Sequence, residues 1–108
     1  PRHIMAEWPG PVYKPGTRIA LAVFVVNDLK DACRGRWRWA AQKRGETLAE
    51  GGAPVELQAD GLVAVPSGVD WTVPAGQQPG AVDLVLTLDL DDGTQVSNRY
   101  RFDILPEI

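Results

Sequence analysis

The feature that most constrains this chain is strict alternation of apolar residues near its C-terminus. Apolar residues occupy every second position at Val82, Leu84, Leu86, Leu88 and Leu90. Side chains two residues apart lie on the same face of a β-strand. The turn-forming run at 91–93 ends in Gly93, which can adopt positive φ. The chain then returns with Val96, Tyr100, Phe102 and Ile104 on one face and Asn98 as its polar member. The pattern predicts a long antiparallel hairpin over 82–104.

A second strand is predicted over 18–26, where both faces are apolar. One face carries Ile19, Leu21, Val23 and Val25, and the other carries Ala20, Ala22, Phe24 and Val26. Strands with two apolar faces are usually covered on both sides. We therefore expect 18–26 to be a central strand.

The remaining strands are shorter. Trp37, Trp39 and Ala41 alternate with polar residues and predict a half-buried strand over 36–42, followed by a turn at 44–45. Shorter strand patterns lie at 47–50, 55–59, 63–65 and 69–73, and Gly51-Gly52 is expected to interrupt them. No window predicts a convincing helix. The sequence therefore predicts an all-β sandwich of about seven antiparallel strands.

Residues 1–17 contain four prolines and two glycines. Proline fixes φ and removes a hydrogen-bond donor, so we interpret 1–17 as an extended entry segment or linker before a sandwich domain at 18–108. Trp8 and Tyr13 lie in this segment. Bulky aromatic residues in a linker usually pack against something, so both are candidate inter-domain contacts.

Composition excludes several functional classes. With 11 Lys+Arg against 14 Asp+Glu, the net charge is −3, which gives no electrostatic basis for binding nucleic acid or an anionic membrane. The locally basic stretch 30–44 is interpreted as a charged outer strand face. No apolar run approaches the roughly 20 residues needed to span a bilayer.

The sequence offers little material for catalysis or metal binding. His3, in the predicted entry segment, is the only histidine and Cys33 the only cysteine, so we predict no Ser/His/Asp triad and no Cys/His pair, and a zinc site of Cys and His ligands is excluded within one chain. Asp91 and Asp92 are adjacent in a turn and should diverge, whereas glycoside hydrolysis needs two carboxyl groups facing across a cleft. We predict no catalytic residue, no metal site and no cofactor. Asp28 is expected to bond its local backbone.

Four tryptophans raise the possibility of sugar binding, because aromatic rings stack on pyranose faces. However, Trp37, Trp39 and Trp71 share faces with apolar residues, so we expect them in the core. Trp8 is the one expected at a surface or interface.

Several motifs resemble those of a known domain. They are Glu7-Trp8-Pro9-Gly10 with Pro15-Gly16, the strand end Val23-Phe24-Val25-Val26-Asn27-Asp28, the Gly35-Arg36-Trp37-Arg38-Trp39 strand, and the closing Ser97-Asn98-Arg99-Tyr100-Arg101-Phe102 strand. Together they resemble the immunoglobulin-like domain that follows the catalytic barrel in glycoside hydrolase family 2 and β-mannosidase-like enzymes. The resemblance implies an Ig-like sandwich that is not itself catalytic and that packs beside the barrel and helps to order the enzyme. The family's two catalytic Glu belong to the barrel, and no motif here matches them.

Three functions follow as hypotheses. The first is the accessory domain of such a hydrolase, with the barrel and other domains of the parent chain as partners. The second is an independent carbohydrate-binding module, which needs at least two exposed, coplanar aromatic rings. The third is an adhesion-type Ig-like domain with a protein partner.

Overall fold

The computed structural model describes residues 2–65 and 68–106, and these form ten strands and no helix. In chain order the strands are β1 (Arg2–Ala6), β2 (Val12–Tyr13), β3 (Arg18–Leu21), β4 (Val23–Asn27), β5 (Cys33–Lys43), β6 (Glu46–Leu57), β7 (Gly61–Ala64), β8 (Val69–Thr72), β9 (Gly80–Leu90) and β10 (Gln95–Ile104). The prediction of an all-β fold is confirmed.

The strands form one large sheet and two small ones. The large sheet has the order β2-β10-β9-β5-β6, and the small sheets are β1-β4-β7 and β3-β8. Every pair is antiparallel except β2 with β10. The sheets pack in a sandwich-like arrangement around a single apolar core.

The predicted C-terminal hairpin is confirmed. β9 and β10 pair over ten residues, from Gln95 opposite Asp89 to Ile104 opposite Gly80. The alternating residues Val82, Leu84, Leu86, Leu88 and Leu90 are all buried. Gly93 has a φ of 89°, and its N–H donates to the carbonyl of Leu90. The alternation of apolar side chains and the glycine in the turn therefore both favour this hairpin.

The predicted strand 18–26 is divided at Ala22 into β3, which pairs with β8, and β4, which pairs with β1 and β7. At the break, the N–H of Ala22 donates to Oε1 of Glu7 at 2.7 Å, and the carbonyl of Ala22 accepts from the N–H of Glu7. The break directs one continuous run of residues into two sheets. It is one reason why the described residues form ten segments rather than about seven.

The expectation that both faces of 18–26 are covered is wrong. Ile19, Leu21, Val23 and Val25 are buried, as predicted. On the opposite face Ala20 is exposed, and Phe24 and Val26 are only half-buried. The described sheets cover one side of β4 and leave the other side open.

Gly51-Gly52 does not interrupt the chain, contrary to expectation, because both residues lie inside the twelve-residue strand β6. Gly51 pairs with Trp39, and a Cβ there would lie 2.6 Å from the indole nitrogen of Trp39. Gly52 pairs with Arg38, and a Cβ there would lie 2.3 Å from the carbonyl oxygen of Trp37. The two glycines therefore allow close approach between β6 and β5 rather than marking a loop.

The segment 1–17 contributes two strands to the sheets. β1 pairs with β4, and Ile4 is buried in the core. Side chains of β10 form hydrogen bonds to backbone groups of β1. Asn98 Nδ2 donates to the carbonyl of Ile4 at 3.3 Å, and the N–H of Ala6 donates to the hydroxyl of Tyr100 at 3.1 Å. The strands of this segment are an integral part of the sandwich.

Asn27 is a buried polar residue at the end of β4, with an exposed fraction of 0%. Its Oδ1 accepts from Arg2 Nε at 3.3 Å and from the N–H of Leu29 at 3.2 Å. Its Nδ2 donates to the carbonyls of Asp31 at 2.9 Å and Gln58 at 3.1 Å. One amide thus joins β1, the loop after β4 and the end of β6. The local backbone bonds expected of Asp28 are made by Asn27 instead.

We expect Asn27→Ala to lower the free energy of unfolding by about 2–4 kcal/mol, because buried polar groups on several segments lose their partners. Urea unfolding would measure the change. Asp28→Ala is the matched control, since Asp28 is adjacent and exposed, and it should cost less than about 0.5 kcal/mol. Equal stability of the two variants would contradict the structural role of Asn27.

Arg2 also connects β1 to the turn between β9 and β10. Its side chain is buried, and Nη1 donates to Asp92 Oδ2 and, at 3.2 Å, to the hydroxyl of Thr94. Hydrogen bonds from the Thr94 hydroxyl and from the Thr94 N–H, together with the Arg2 guanidinium, hold the pKa of Asp92 below its ordinary value. Ionised Asp92 therefore stabilises the fold.

A depressed pKa in the folded state gives stability that is present above the unfolded pKa of about 3.9 and is lost as the pH falls through the folded value. Asp92→Asn should therefore be less stable than the parent at about pH 6, and this difference should shrink at about pH 2. Urea midpoints at the two pH values would test this. Asp91→Asn, at the adjacent exposed residue, is the matched control and should lose less stability than Asp92→Asn at about pH 6. A pH-independent Asp92→Asn deficit would contradict the prediction.

Candidate functional site

Trp8 is the most exposed large apolar residue among those described, with an exposed fraction of 80%. Its ring meets the ring of Tyr100 edge-on, with centroids 5.0 Å apart and planes at 90°. Tyr100 is itself buried and bonded to Ala6. The structure therefore holds a large apolar ring in a defined position at the surface, as the sequence predicted for Trp8.

Tyr13 is half-buried and packs on its own domain. Its ring meets that of Phe102 edge-on at 5.1 Å, and its hydroxyl accepts from the N–H of Gly10 at 2.7 Å. Pairing of β2 with β10 fixes its backbone. Only part of Tyr13 is available to a neighbouring domain, so of the two candidate contacts Trp8 offers much the larger surface.

The remaining tryptophans lie inside or against the core, as expected. Trp37 and Trp39 are buried, with 2% and 6% exposed. Trp71 is half-buried and packs against the core, with its ring centroid 6.4 Å from that of Phe102. Trp8 is therefore the one tryptophan whose ring is free to stack on an external ligand.

A second exposed apolar surface lies on the small sheet β1-β4-β7. We call it the outer apolar face, and it consists of Met5, Phe24, Val26, Leu62 and Ala64, with His3 at one corner. Met5, Phe24 and Ala64 form one row across the three strands, and His3, Val26 and Leu62 form the next. Residues directly opposite on paired strands share a face. Leu62 is 66% exposed and Met5 39%.

A shallow groove of about 560 Å³ crosses the outer surface of the large sheet. We call it the β5–β6 groove. Its floor includes Ala40 and Gly52, which have little or no side chain, beside Val85. Arg36, Arg38, Gln42, Thr47 and Glu50 also line it. Trp37 and Trp39 are among its lining residues, but they are too deeply buried to offer a flat platform for a sugar ring.

Ion pairs balance the charges on this side of the large sheet. Arg38 pairs with Asp89 at 3.3 Å, and Arg101 Nε with Asp83 Oδ1 at 3.0 Å. The hydrogen bond and charge of Asp83 raise the pKa of Arg101. The arginines of the basic stretch that belong to β5 lie on its exposed outer face, as predicted, whereas Lys30 and Arg44 lie outside the strand. Acidic residues of β9 lie between these arginines and those of β10.

The described residues bring together no group of three or more His, Cys, Asp or Glu side chains that could hold a metal ion. His3 Nε2 lies 3.5 Å from Asp28 Oδ2, and both side chains are half exposed. Cys33 is half-buried at the start of β5. Within residues 2–65 and 68–106, no helix is long and apolar enough to cross a membrane.

The outer apolar face was not identified from the sequence. The sequence pattern that could have indicated this face is the second apolar face of 18–26, which we interpreted as buried. Leu62 and Met5 gave no comparable signal, because each lies in a short strand whose alternation is not distinctive.

No protein-family model and no curated protein sequence matches this chain. A solved structure with a similar fold is the crystal structure of Spo0M, a sporulation control protein from Bacillus subtilis. The two share 17% sequence identity with a TM-score of 0.64, and the match covers 98% of this chain and 49% of Spo0M. The chain therefore spans about half the length of Spo0M. At this identity the similarity concerns the fold alone.

The exposure of Trp8 leads to a stability prediction. Trp8→Ala should lower the free energy of unfolding by only about 0.5–1.5 kcal/mol, since it removes one edge-to-face contact and little buried area. Trp37→Ala should cost about 3–5 kcal/mol because it empties part of the core. Urea unfolding of both variants would compare them. A Trp8→Ala loss as large as that of Trp37→Ala would show that Trp8 belongs to the core.

Proposed function

We propose that this chain is a non-catalytic, immunoglobulin-like accessory domain of a glycoside hydrolase family 2-like enzyme, which packs beside the catalytic barrel and helps to order it. The observation that carries the proposal is Trp8, a large apolar ring held in a fixed position with 80% of its surface exposed. Exposed aromatic residues of this kind are characteristic of contact surfaces. Trp8 also lies in one of the motifs on which the family resemblance rests.

The strand arrangement supports the immunoglobulin-like type. β3 and β4 are one run broken at Ala22, and β3 pairs with β8 whereas β4 pairs with β7. β1 and β2 are likewise two parts of one extended segment that joins both layers. The large sheet consists of β5, β6, β9 and β10 with the short β2 at its edge, and the small sheets form the opposite layer. Two layers of mainly antiparallel strands are typical of Ig-like sandwiches.

The motif residues behind the resemblance support the same proposal, because each has a role in holding the sandwich together. Asn27 joins β4 to β1 and to the end of β6. Asn98 and Tyr100 bond the edge of β1. Trp37 and Trp39 fill the core. These are the roles expected of a domain whose task is to be a rigid partner rather than to carry out chemistry.

Two other functions receive less support. A carbohydrate-binding module needs at least two exposed, coplanar aromatic rings, and among the tryptophans only Trp8 is largely exposed. An adhesion-type domain with a protein partner is compatible with the exposed apolar residues. The two hypotheses differ in the other domains that the gene should encode. The adhesion hypothesis predicts neighbouring sandwich repeats, whereas the main proposal predicts a catalytic barrel.

The proposal is tested by reading the gene upstream of the Pro1 codon and by assaying both products. We expect an encoded barrel with two catalytic Glu. The 108-residue chain alone should not hydrolyse aryl β-mannosides or aryl β-galactosides, whereas the full-length gene product should hydrolyse at least one of them. Turnover by the 108-residue chain, or a gene without a barrel, would refute the proposal.

The role of Trp8 can be tested in the full-length gene product. Trp8→Ala should shorten the half-life of hydrolase activity on mild heating, because the contact with the barrel is weakened. Lys14→Ala is the matched control, since Lys14 is an exposed residue of the same segment. Equal half-lives for both variants and the parent would show that Trp8 does not contribute to the contact with the barrel.

A further inference from the structure

We propose that Pro54 keeps the open edge of β6 from pairing with a second copy of this chain. β6 has twelve residues and is the longest strand at an edge of the described sheets, where it pairs only with β5. A long open edge is a template for pairing with another strand. The inference is independent of the proposed function, because it concerns how the large sheet ends rather than what the domain contacts.

The other sheet edges are short or already bonded. β2 has two residues, and β3, β7 and β8 have four each. Side chains of Asn98 and Tyr100 bond backbone groups of β1. In contrast, among residues 2–65 and 68–106, no backbone group other than those of β5 bonds the backbone of 50–56. The open side of β6 is therefore the edge most exposed to another strand.

The direction of the backbone groups in β6 follows from a hydrogen bond at the start of β5. The N–H of Asp91 donates to the carbonyl of Arg34 at 2.9 Å, so the backbone groups of Arg34 face β9. Backbone groups alternate in direction along an antiparallel strand. Those of Trp37 therefore face β6, where Trp37 pairs with Ala53. Because Ala53 bonds towards β5, the backbone groups of its two neighbours point away from the sheet.

The outward backbone groups belong to four exposed residues, which are Glu50, Gly52, Pro54 and Glu56. Glu50, Gly52 and Glu56 each offer an N–H and a carbonyl to an incoming strand, whereas proline has no N–H. Pro54 thus lies where an edge strand tolerates proline, with the missing donor on the open side. A run of about seven residues is otherwise long enough to pair with an identical run.

Antiparallel pairing of two β6 strands would bring Pro54 into the new ladder of both copies. If the pairing is centred at residue 52, 53 or 54, Pro54 lies opposite Glu50, Gly52 or Pro54 of the other copy, respectively. The carbonyl opposite each proline then lacks a donor. An unpaired backbone group that is shielded from water costs free energy, so Pro54 weakens each of these pairings.

Charge opposes the same pairing. β6 carries Glu46, Glu50 and Glu56 and no lysine or arginine. In the pairing centred at residue 53, Glu50 of each copy lies opposite Glu56 of the other, and like charges opposite each other are destabilising. Sterically the edge is open, because Gly52 has no side chain to hold another backbone away. The barrier to a second copy is therefore the missing donor together with the glutamates.

Sedimentation velocity of the 108-residue chain and of Pro54→Val, over a wide range of concentrations, tests the proposal. Valine restores the N–H and suits a strand. Pro54→Val should shift from monomer to dimer as the concentration rises. Its association constant should exceed that of the parent by on the order of tenfold, because each copy gains one intermolecular hydrogen bond. A variant that stays as monomeric as the parent would overturn the proposal.

Pro74→Val is the matched control, since Pro74 is exposed and lies outside the described strands. This variant should sediment like the parent at every concentration. Equal dimerisation of Pro74→Val and Pro54→Val would show that association does not depend on the open edge of β6, and would overturn the proposal.

Amide hydrogen exchange locates the pairing, and its first step needs no variant. In the parent, the N–H groups of Glu50 and Gly52 should exchange on the order of tenfold faster than those of Gly51 and Ala53, which face β5. In Pro54→Val, the N–H of Gly52 should become protected as the concentration rises. Equal protection of the two sets in the parent would overturn the proposal, as would a Pro54→Val dimer in which Gly52 stays unprotected.

Discussion

The buried amide of Asn27 is the interaction on which the rest of the structure depends. It lies where β4 ends, and its four hydrogen bonds reach β1, the loop that leads into β5, and the end of β6. A buried amide must satisfy both its donor and its acceptor, so these segments can approach only in one arrangement. Arg2 continues the network to Asp92 and Thr94 in the turn between β9 and β10. Polar groups therefore fix how the sheets meet at one end, while the apolar core supplies the bulk of the burial.

Much of the fold could be predicted from local patterns. The β9–β10 hairpin followed from alternating leucines and a glycine turn, and the burial of Trp37 and Trp39 followed from their alternation with arginine. The predictions that failed concern relations between strands. Division of 18–26 at Ala22 depends on Glu7, fifteen residues away. Gly51 and Gly52 were interpreted as a break because their reason for being glycine, close approach to the backbone and indole of β5, lies on another strand.

The candidate surfaces also differ in whether nearby residues in the sequence were enough to predict them. Trp8 could be singled out because a tryptophan among prolines has few partners nearby in the chain. The outer apolar face could not, since it is assembled from three short strands far apart in sequence. The sequence did contain one clue, the second apolar face of 18–26, but alternation cannot say whether an apolar face is covered by the same domain or by another one. Only the register of β1, β4 and β7 places Met5 and Leu62 beside Phe24 and Val26.

The position of β1 has a practical consequence for how the domain is delimited. A fragment trimmed to begin at Arg18, as the proline content of 1–17 would suggest, lacks β1 and β2. The backbone of β4 would then be open along one side, and Asn27, Asn98 and Tyr100 would each lose a partner on β1. Unpaired strand edges recruit strands from other molecules. Such a fragment would be prone to aggregate, and insolubility would then reflect a wrongly chosen boundary rather than an intrinsically unstable domain.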